Sequence, residues 1–301
     1  MTSYKSTPEY GVNAISLQHA YDECKRIATH HENFPVGSIL FPRRLRNHFF
    51  SVYAFSRVAD DIADEGDIAA EERLRQLDDW GALLREAYTS ATLNHPVFIA
   101  LADTIRTFHL PVELFENLLS AFRQDITAKR YTTFADVLDY CTRSANPIGR
   151  LVLSLFDVCT PERAILSDAI CTALQLTNFW QDVCADYAKG RIYIPREDMR
   201  EFNLRDEDIA GKIFSPAFHD CMAFQVERTT ELFREGARLI PLLNGRLRLE
   251  IQWVINGGNA ALRKIKENEF DVLRKSNNLT AKDYALNFMN SLFMTIFSKG
   301  R

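Results

Sequence analysis

Between Gln175 and Asp186 the polar residues Gln175, Asn178, Asp182 and Asp186 recur at three-then-four spacing, one face of a helix. The rest of that stretch, including Leu174, Leu176, Phe179, Trp180, Val183 and Cys184, is apolar. A helix of this composition is expected to be buried nearly all round. Two carboxylates and two amides on one stripe of such a helix need a partner, because unpaired buried charge costs several kcal/mol. A second stripe of the same kind is formed by Tyr53, Arg57, Asp60 and Asp64, spaced four, three and four. If the two helices face each other, their aspartates converge on a space suited to divalent cations. Oxygen-only ligands favour Mg²⁺ or Mn²⁺, and Mg²⁺ completes its shell with substrate phosphates.

The remainder of the chain reads as helix. Helical patterning runs from Ala14 to about His31, and Glu32 to Ser38 is a break. Phe41-Pro42 opens the helix of the Asp60 stripe, which ends near Glu65-Gly66, and an amphipathic helix follows over about 69–90. Pro96, Pro111 and Pro161 mark later helix starts, since proline is tolerated in a first turn. Pro147 predicts a kink within 133–156, where the small residues Ser144, Ala145 and Gly149 leave room for a ligand. The stripe helix, about 162–188, ends in the C-cap pair Lys189-Gly190, and Arg191 to Pro195 reads as extended. Residues 198–210 read as turns, followed by helices over about 216–240, 246–268 and 280–297. Period-2 alternation is scarce, so the fold class is all-α. Residues 1–13 read as a flexible N-terminus and 14–301 as a single domain, because no repeat or long linker divides them.

The same sequence narrows function. With 301 residues, 47% of them hydrophobic, the chain can bury a large core. A net charge of −4, with both signs dispersed, argues against a nucleic-acid surface. Six cysteines without a CxxC pair read as reduced core residues of a cytoplasmic protein. Neither a secretory signal nor an apolar run of ~18 residues is visible. HExxH, GxGxxG and Walker A motifs are absent, so no nicotinamide cofactor is expected. Acids at the C-terminal end of a helix oppose its macrodipole at a cost of a few tenths to ~1 kcal/mol. That cost, and the repetition of the stripe, favour metal and diphosphate binding over a solvated helix end. Arg57, Arg191 and either Arg274 or Lys275 would then bond phosphate oxygens. The aromatic-rich tail from Phe288 to Phe297 reads as core or pocket wall.

Taken together, the two aspartate stripes, the kinked Tyr140–Gly149 segment and Arg191-Ile192-Tyr193 resemble the squalene/phytoene synthase family over about 29–276. The resemblance implies an all-α isoprenoid synthase-type bundle with a central cavity, Mg²⁺-dependent, that joins or rearranges prenyl diphosphates. It implies that Asp60, Asp64, Asn178, Asp182 and Asp186 hold Mg²⁺ on diphosphate. Tyr53, Arg57, Gln175, Arg191 and Tyr193 match positions lining the diphosphate and reacting carbons; Tyr140, Ser144, Ala145 and Gly149 match the wall beside the prenyl chains. Asp60, Asp64, Asp182, Asp186, Arg57 and Tyr53 stand as the catalytic set.

Within the family, His31 to Val36 and Asn178 to Asp182 are similar to the hydroxysqualene synthase branch. Those enzymes expel diphosphate from presqualene diphosphate and quench the rearranged cation with water. Where condensing members carry a Ser-Lys-Ser cluster, this chain has His31-Glu32-Asn33; where they carry Arg, it has Gln181. Both changes remove phosphate-holding groups, as suits a substrate with one diphosphate, and Asn33 and Gln181 stand as substrate contacts. Phe34, Phe55, Phe179 and Trp180 are candidates to shield the cation, and Tyr53, Tyr140, Gln175 and Gln181 to position the water. A thirty-carbon lipid substrate is compatible with peripheral contact at the inner membrane face and with hand-over from a presqualene diphosphate synthase. The alternatives are a condensing presqualene diphosphate or phytoene synthase, a reductive squalene synthase needing NADPH, and a non-catalytic assembly protein on the same fold.

Overall fold

The computed structural model describes residues 15–30, 41–90, 92–275 and 277. Residues 1–13, Asn33, Phe34 and the helix expected over 280–297 lie outside these. The described chain forms α1 (Leu17–His30), α2 (Arg43–Asp64), α3 (Ala70–Thr89), α4 (Pro96–Phe108) and α5 (Val112–Thr127). Then follow α6 (Phe134–Ser144), α7 (Asn146–Leu155), α8 (Pro161–Gln181), α9 (Val183–Ala188), α10 (Arg196–Glu201) and α11 (Asp206–Ala210). Last come α12 (Pro216–Gly236), a 3₁₀ segment (Ala237–Leu242) and α13 (Gly245–Glu267). No strand occurs among the described residues; one isolated bridge joins Arg130 and Ile192.

Prolines and caps set the boundaries. Pro96, Pro161 and Pro216 occupy the first turns of α4, α8 and α12, where a missing N–H is harmless. Pro111 instead stands one residue ahead of α5, at its N-cap. A capping box opens α6: Asp136 donates its N–H to Thr133 Oγ1 (3.2 Å) and accepts from the Thr133 N–H (2.8 Å). Three sequence expectations need correction. The kink at Pro147 is a full break at Ala145 (φ −116°, ψ −46°): proline has no N–H for the carbonyl four residues back and its ring crowds that turn, so Pro147 lies in the first turn of a new helix. Residues 198–210, expected as turns, contain α10 and α11, where Asp198, Met199, Asp208 and Ile209 are buried. The stripe helix ends at Gln181, with Asp182 (φ −101°, ψ 16°) joining it to α9.

Two apolar clusters form the interior. One gathers α1 to α5 around Phe55, Phe98, Leu101 and Phe115; the other gathers α6, α8, α12 and α13 around Trp180, Phe218 and Phe233. Helix α7 is the seam, giving Leu151 and Leu155 to the first cluster and Leu153 to the second. Against α8, α12 approaches closely at Gly236, where a Cβ would lie 2.5 Å from the Ile170 side chain. Trp180 Nε1 donates to Thr229 Oγ1 (2.8 Å) across the same contact. None of the described helices is long and apolar enough to cross a membrane.

One buried acid yields a pH prediction away from the site. On α13, Glu250 is 7% exposed, its Oε2 has no partner among the described residues, and burial pushes its carboxyl up to about 7. The unfolded chain releases this proton near the ordinary glutamate value of about 4.3. Between there and about pH 7 the native state binds the extra proton, so stability falls as pH rises. Glu250→Gln is expected to raise the melting temperature at pH 8 and leave it nearly unchanged at pH 4. An equal shift at both pH values would refute the assignment.

Candidate active site

The two aspartate stripes come together, and the structure shows how. Asp60 and Asp64 sit on the last turn of α2; Asp182 and Asp186 flank and occupy α9. Although the helix breaks at Asp182, the Asp186 N–H still donates to the Asp182 carbonyl (2.8 Å), which preserves the one-turn spacing. Past α9 the chain turns back, with the Arg191 N–H donating to the Asp186 carbonyl (2.8 Å). This turn carries Lys189 and Arg191 across to α2, and both donate to the Asp64 carboxylate. Arg57 pairs on its own helix with Asp61 (2.7 Å), Glu65 (3.0 Å) and Asp60 (3.3 Å).

Solvent reaches the stripe more than its composition suggests. Asn178 and Asp182 are exposed and Gln175 and Asp186 half-buried, whereas Leu176, Thr177, Phe179, Trp180 and Val183 are buried. The expectation of near-complete burial is therefore corrected: the apolar residues pack into the second cluster and the polar face opens on a cleft. Asp60 is 47% accessible in its side chain. It nevertheless lies deep among protein atoms, and this burial, with Asp64 and Asp61 nearby, outweighs Arg57 and pushes its carboxyl up to about 6. Burial and then the charge of Asp182 push Asp186 up to about 7, and burial also raises Asp182. Burial would raise Asp64 as well, but the hydrogen bonds from Lys189 and Arg191 hold it below the usual range.

Below the carboxylates is a residue that the periodicity argument missed. Asp125 on α5 is 8% exposed and accepts from Tyr140 Oη (2.8 Å) and, at longer range, from Tyr193 Oη (3.4 Å). Burial, with the charges of Asp60 and Asp64 adding to it, pushes Asp125 up to about 6 despite the bond from Tyr140. The Tyr193 ring stacks on Phe179 with centroids 3.6 Å apart. A signal existed in the sequence: Asp125 continues the apolar α5 face of Leu114, Leu118 and Ala121, where a carboxylate needs a reason. Lys129, Lys189, Arg191 and Arg73 join Asp64, Ile68 and Ile126 around a cavity of about 240 Å³ beside the carboxylates. Of these cations, only Arg191 was singled out by the motif.

Other expected site residues have their own surroundings. A Cβ on Gly149 would lie 2.4 Å from Ser167 Oγ and 2.5 Å from Cys171 Sγ, so glycine here lets α7 approach α8 one turn before Gln175. Ser144 and Ala145 are half-buried at the α6–α7 break, where the Ser144 hydroxyl has no partner among the described residues. Half-buried Tyr53 is near Phe49 on α2. Gln181 donates to the Asn277 carbonyl (2.7 Å), fastening the segment after α13 to the end of α8. Arg274 in that segment bonds Asp271 (2.8 Å) and lies over the Phe214 ring, and Lys275 donates to the Asn268 carbonyl (3.1 Å). Both are engaged locally. Of the cation-shielding candidates, Phe55 and Trp180 are fully buried core, Phe55 against Phe98 and Phe115, because their helices turn these rings away from the cleft.

The donor set fits a hard divalent cation. The charge of Asp64 acts on both Asp60 and Asp186, and that of Asp182 on Asp186, so like charge from two helices gathers at the cleft, a situation that a cation relieves. Among the described residues no three His, Cys, Asp or Glu groups stand together as a metal cage. Mg²⁺ does not require one, since it takes one or two carboxylates and completes its shell with water and substrate phosphates.

The all-α bundle that carries this acidic cleft is of the terpenoid synthase type, as comparison with solved structures shows, and the family is narrower still. The profile of the squalene/phytoene synthase family matches residues 27–283. The crystal structure of squalene synthase HpnC from Alicyclobacillus acidocaldarius superposes with a TM-score of 0.80 at 42% identity, covering 84% of this chain and 95% of that one. Hydroxysqualene synthase of Rhodopseudomonas palustris is 34% identical over 73% of this chain and 74% of its own length. The 15-cis-phytoene synthase of Synechococcus elongatus is 28% identical over 86% and 88%. The chain belongs to the squalene/phytoene synthase family.

Proposed function

We propose that the protein is a hydroxysqualene synthase that converts presqualene diphosphate and water to hydroxysqualene and diphosphate. The observation that carries this reading is the cleft itself, in which carboxylates from two helices face each other beside Lys129, Lys189 and Arg191. The chain's similarity to hydroxysqualene synthase of R. palustris supports the particular reaction. Mg²⁺ held by Asp60, Asp64, Asn178, Asp182 and Asp186 would neutralise the charge that develops on the departing diphosphate.

The chain's own groups account for the rest. Lys189 and Arg191, paired with Asp64 here, can turn to phosphate oxygens, with Lys129 and Arg73 lining the same cavity. As the carbon–oxygen bond breaks, its electron pair leaves with diphosphate and a cyclopropylcarbinyl cation remains. The Phe179 and Tyr193 rings, buried and stacked on each other beside Asp125, would supply the aromatic wall that tolerates a cation. The cation rearranges, and one water adds to it and loses a proton. Of the candidates to hold that water, Gln181 donates to Asn277 and Tyr140 to Asp125, while no hydrogen bond occupies the Gln175 side chain among the described residues.

The likeness to phytoene synthase favours one alternative, a condensing enzyme that joins two prenyl diphosphates. A product assay decides. Purified protein with Mg²⁺, presqualene diphosphate and ¹⁸O-water, without NADPH, is expected to yield a C30 alcohol carrying the label. Turnover of farnesyl or geranylgeranyl diphosphate alone, with none of presqualene diphosphate, would replace this reading by the condensing one. Inactivity towards all three would favour a non-catalytic member.

A further inference from the structure

A second cationic cavity backs onto the first. Residues 129–132 run beside 192–197: Ile192, Arg196 and Glu197 donate their N–H groups to the carbonyls of Lys129 (3.1 Å), Tyr131 (3.0 Å) and Thr132 (3.1 Å). Successive side chains of an extended segment point to opposite sides. Lys129 accordingly lines the cavity beside the carboxylates, with Arg191, whereas its neighbour Arg130 lines another of about 280 Å³ with Arg196, the first residue of α10. Arg200, Met199, Leu204 and Asp206 complete its wall, so three guanidinium groups face one carboxylate.

The charges in this cavity are unbalanced. Arg130 is 18% exposed in its side chain and bonds Asp206 through Nη2 (2.9 Å), but its buried Nε and Nη1 have no partner among the described residues. Arg196 and Arg200 have no side-chain hydrogen bond or ion pair among the described residues. Burial, with Arg196 adding to it, makes the Arg130 charge costly. Buried donors are normally satisfied, and like charges gathered at a concave surface are relieved by an anion. Arginine forks match the tetrahedral oxygens of phosphate in geometry as well as charge.

We propose that the cavity lined by Arg130, Arg196 and Arg200 is a second anion site, distinct from the carboxylate cleft, that takes a phosphate group. The group arrives either as a free phosphate or as the headgroup of an anionic phospholipid.

The test uses the full chain without Mg²⁺, the double variant Arg196→Gln/Arg200→Gln, and each single variant. Equilibrium dialysis against inorganic phosphate should show one ion fewer per chain in the double variant, or binding of that ion weakened by at least about tenfold, as losing a charge-assisted hydrogen bond implies. The single variants should fall between. Lys189→Gln, in the other cavity, should leave this component intact. Co-sedimentation with phosphatidylcholine vesicles, with and without phosphatidylglycerol, separates the sources. Binding to the anionic vesicles that phosphate competes away and the double variant lacks identifies a headgroup site. Loss of phosphate binding with unchanged sedimentation identifies a free anion. Equal phosphate binding and equal sedimentation for wild type and double variant would overturn the proposal.

Discussion

Asp60→Asn is expected to lower kcat on the prenyl diphosphate substrate by ~10²-fold or more at saturating Mg²⁺, the scale of losing one preorganised electrostatic group. The same substitution is expected to raise the melting temperature of the metal-free protein near neutral pH. The Asp60 carboxyl is pushed up to about 6 by burial and by Asp64 and Asp61, so the native state holds a proton that the unfolded chain releases near 3.9. Stability is therefore lost as pH rises from about 4 to about 6, and the ionised form burdens the fold above that. Asparagine keeps the shape and removes the burden, so activity falls while stability rises, the trade expected of a strained functional group. Added Mg²⁺ should raise the melting temperature of wild type more than that of the variant. Near-normal turnover in both Asp60→Asn and Asp182→Asn would remove the metal assignment.

Trp180→Ala is expected to cost about 3–5 kcal/mol of stability, the range for deleting a large buried aromatic side chain. Trp180 is fully buried, two residues from Asp182, and bonds Thr229 on the neighbouring helix. It locks α8 to α12 and so fixes where the carboxylates of α8 and α9 stand. Denaturant unfolding should show the loss as a lower midpoint. The conservative Trp180→Phe should lose less, since it keeps most of the packed volume and Thr229 still donates to the Gln225 carbonyl (2.8 Å). If Trp180→Ala kept full stability and lost only activity, the ring would belong to the reaction cavity and not to the core.

These two residues show what was legible in advance. Asp60 and Asp182 could be read because a charged residue at helical spacing among apolar ones breaks a local rule, and local rules are broken mainly at functional sites. Trp180 could be read as apolar and helical, but not as core or cavity wall. That choice depends on which neighbour covers each face of α8, and α12 covers this one. Asp125 was missed for a similar reason. A single carboxylate on an apolar face becomes informative only when Tyr140 and Tyr193 are seen to converge on it.

Helical periodicity, proline at first turns and the two aspartate stripes lie within a few residues of one another, so the sequence by itself determined the all-α class, most helix boundaries and the chemistry of the donors. The pairings were settled only by tertiary structure. Lys189 and Arg191 reach Asp64 across separations of 125 and 127 residues, Gln181 is taken by Asn277, and three arginines meet in a cavity behind the cleft. Each contact follows from how whole helices pack, and packing is set jointly by many side chains, so no short stretch of sequence carries it.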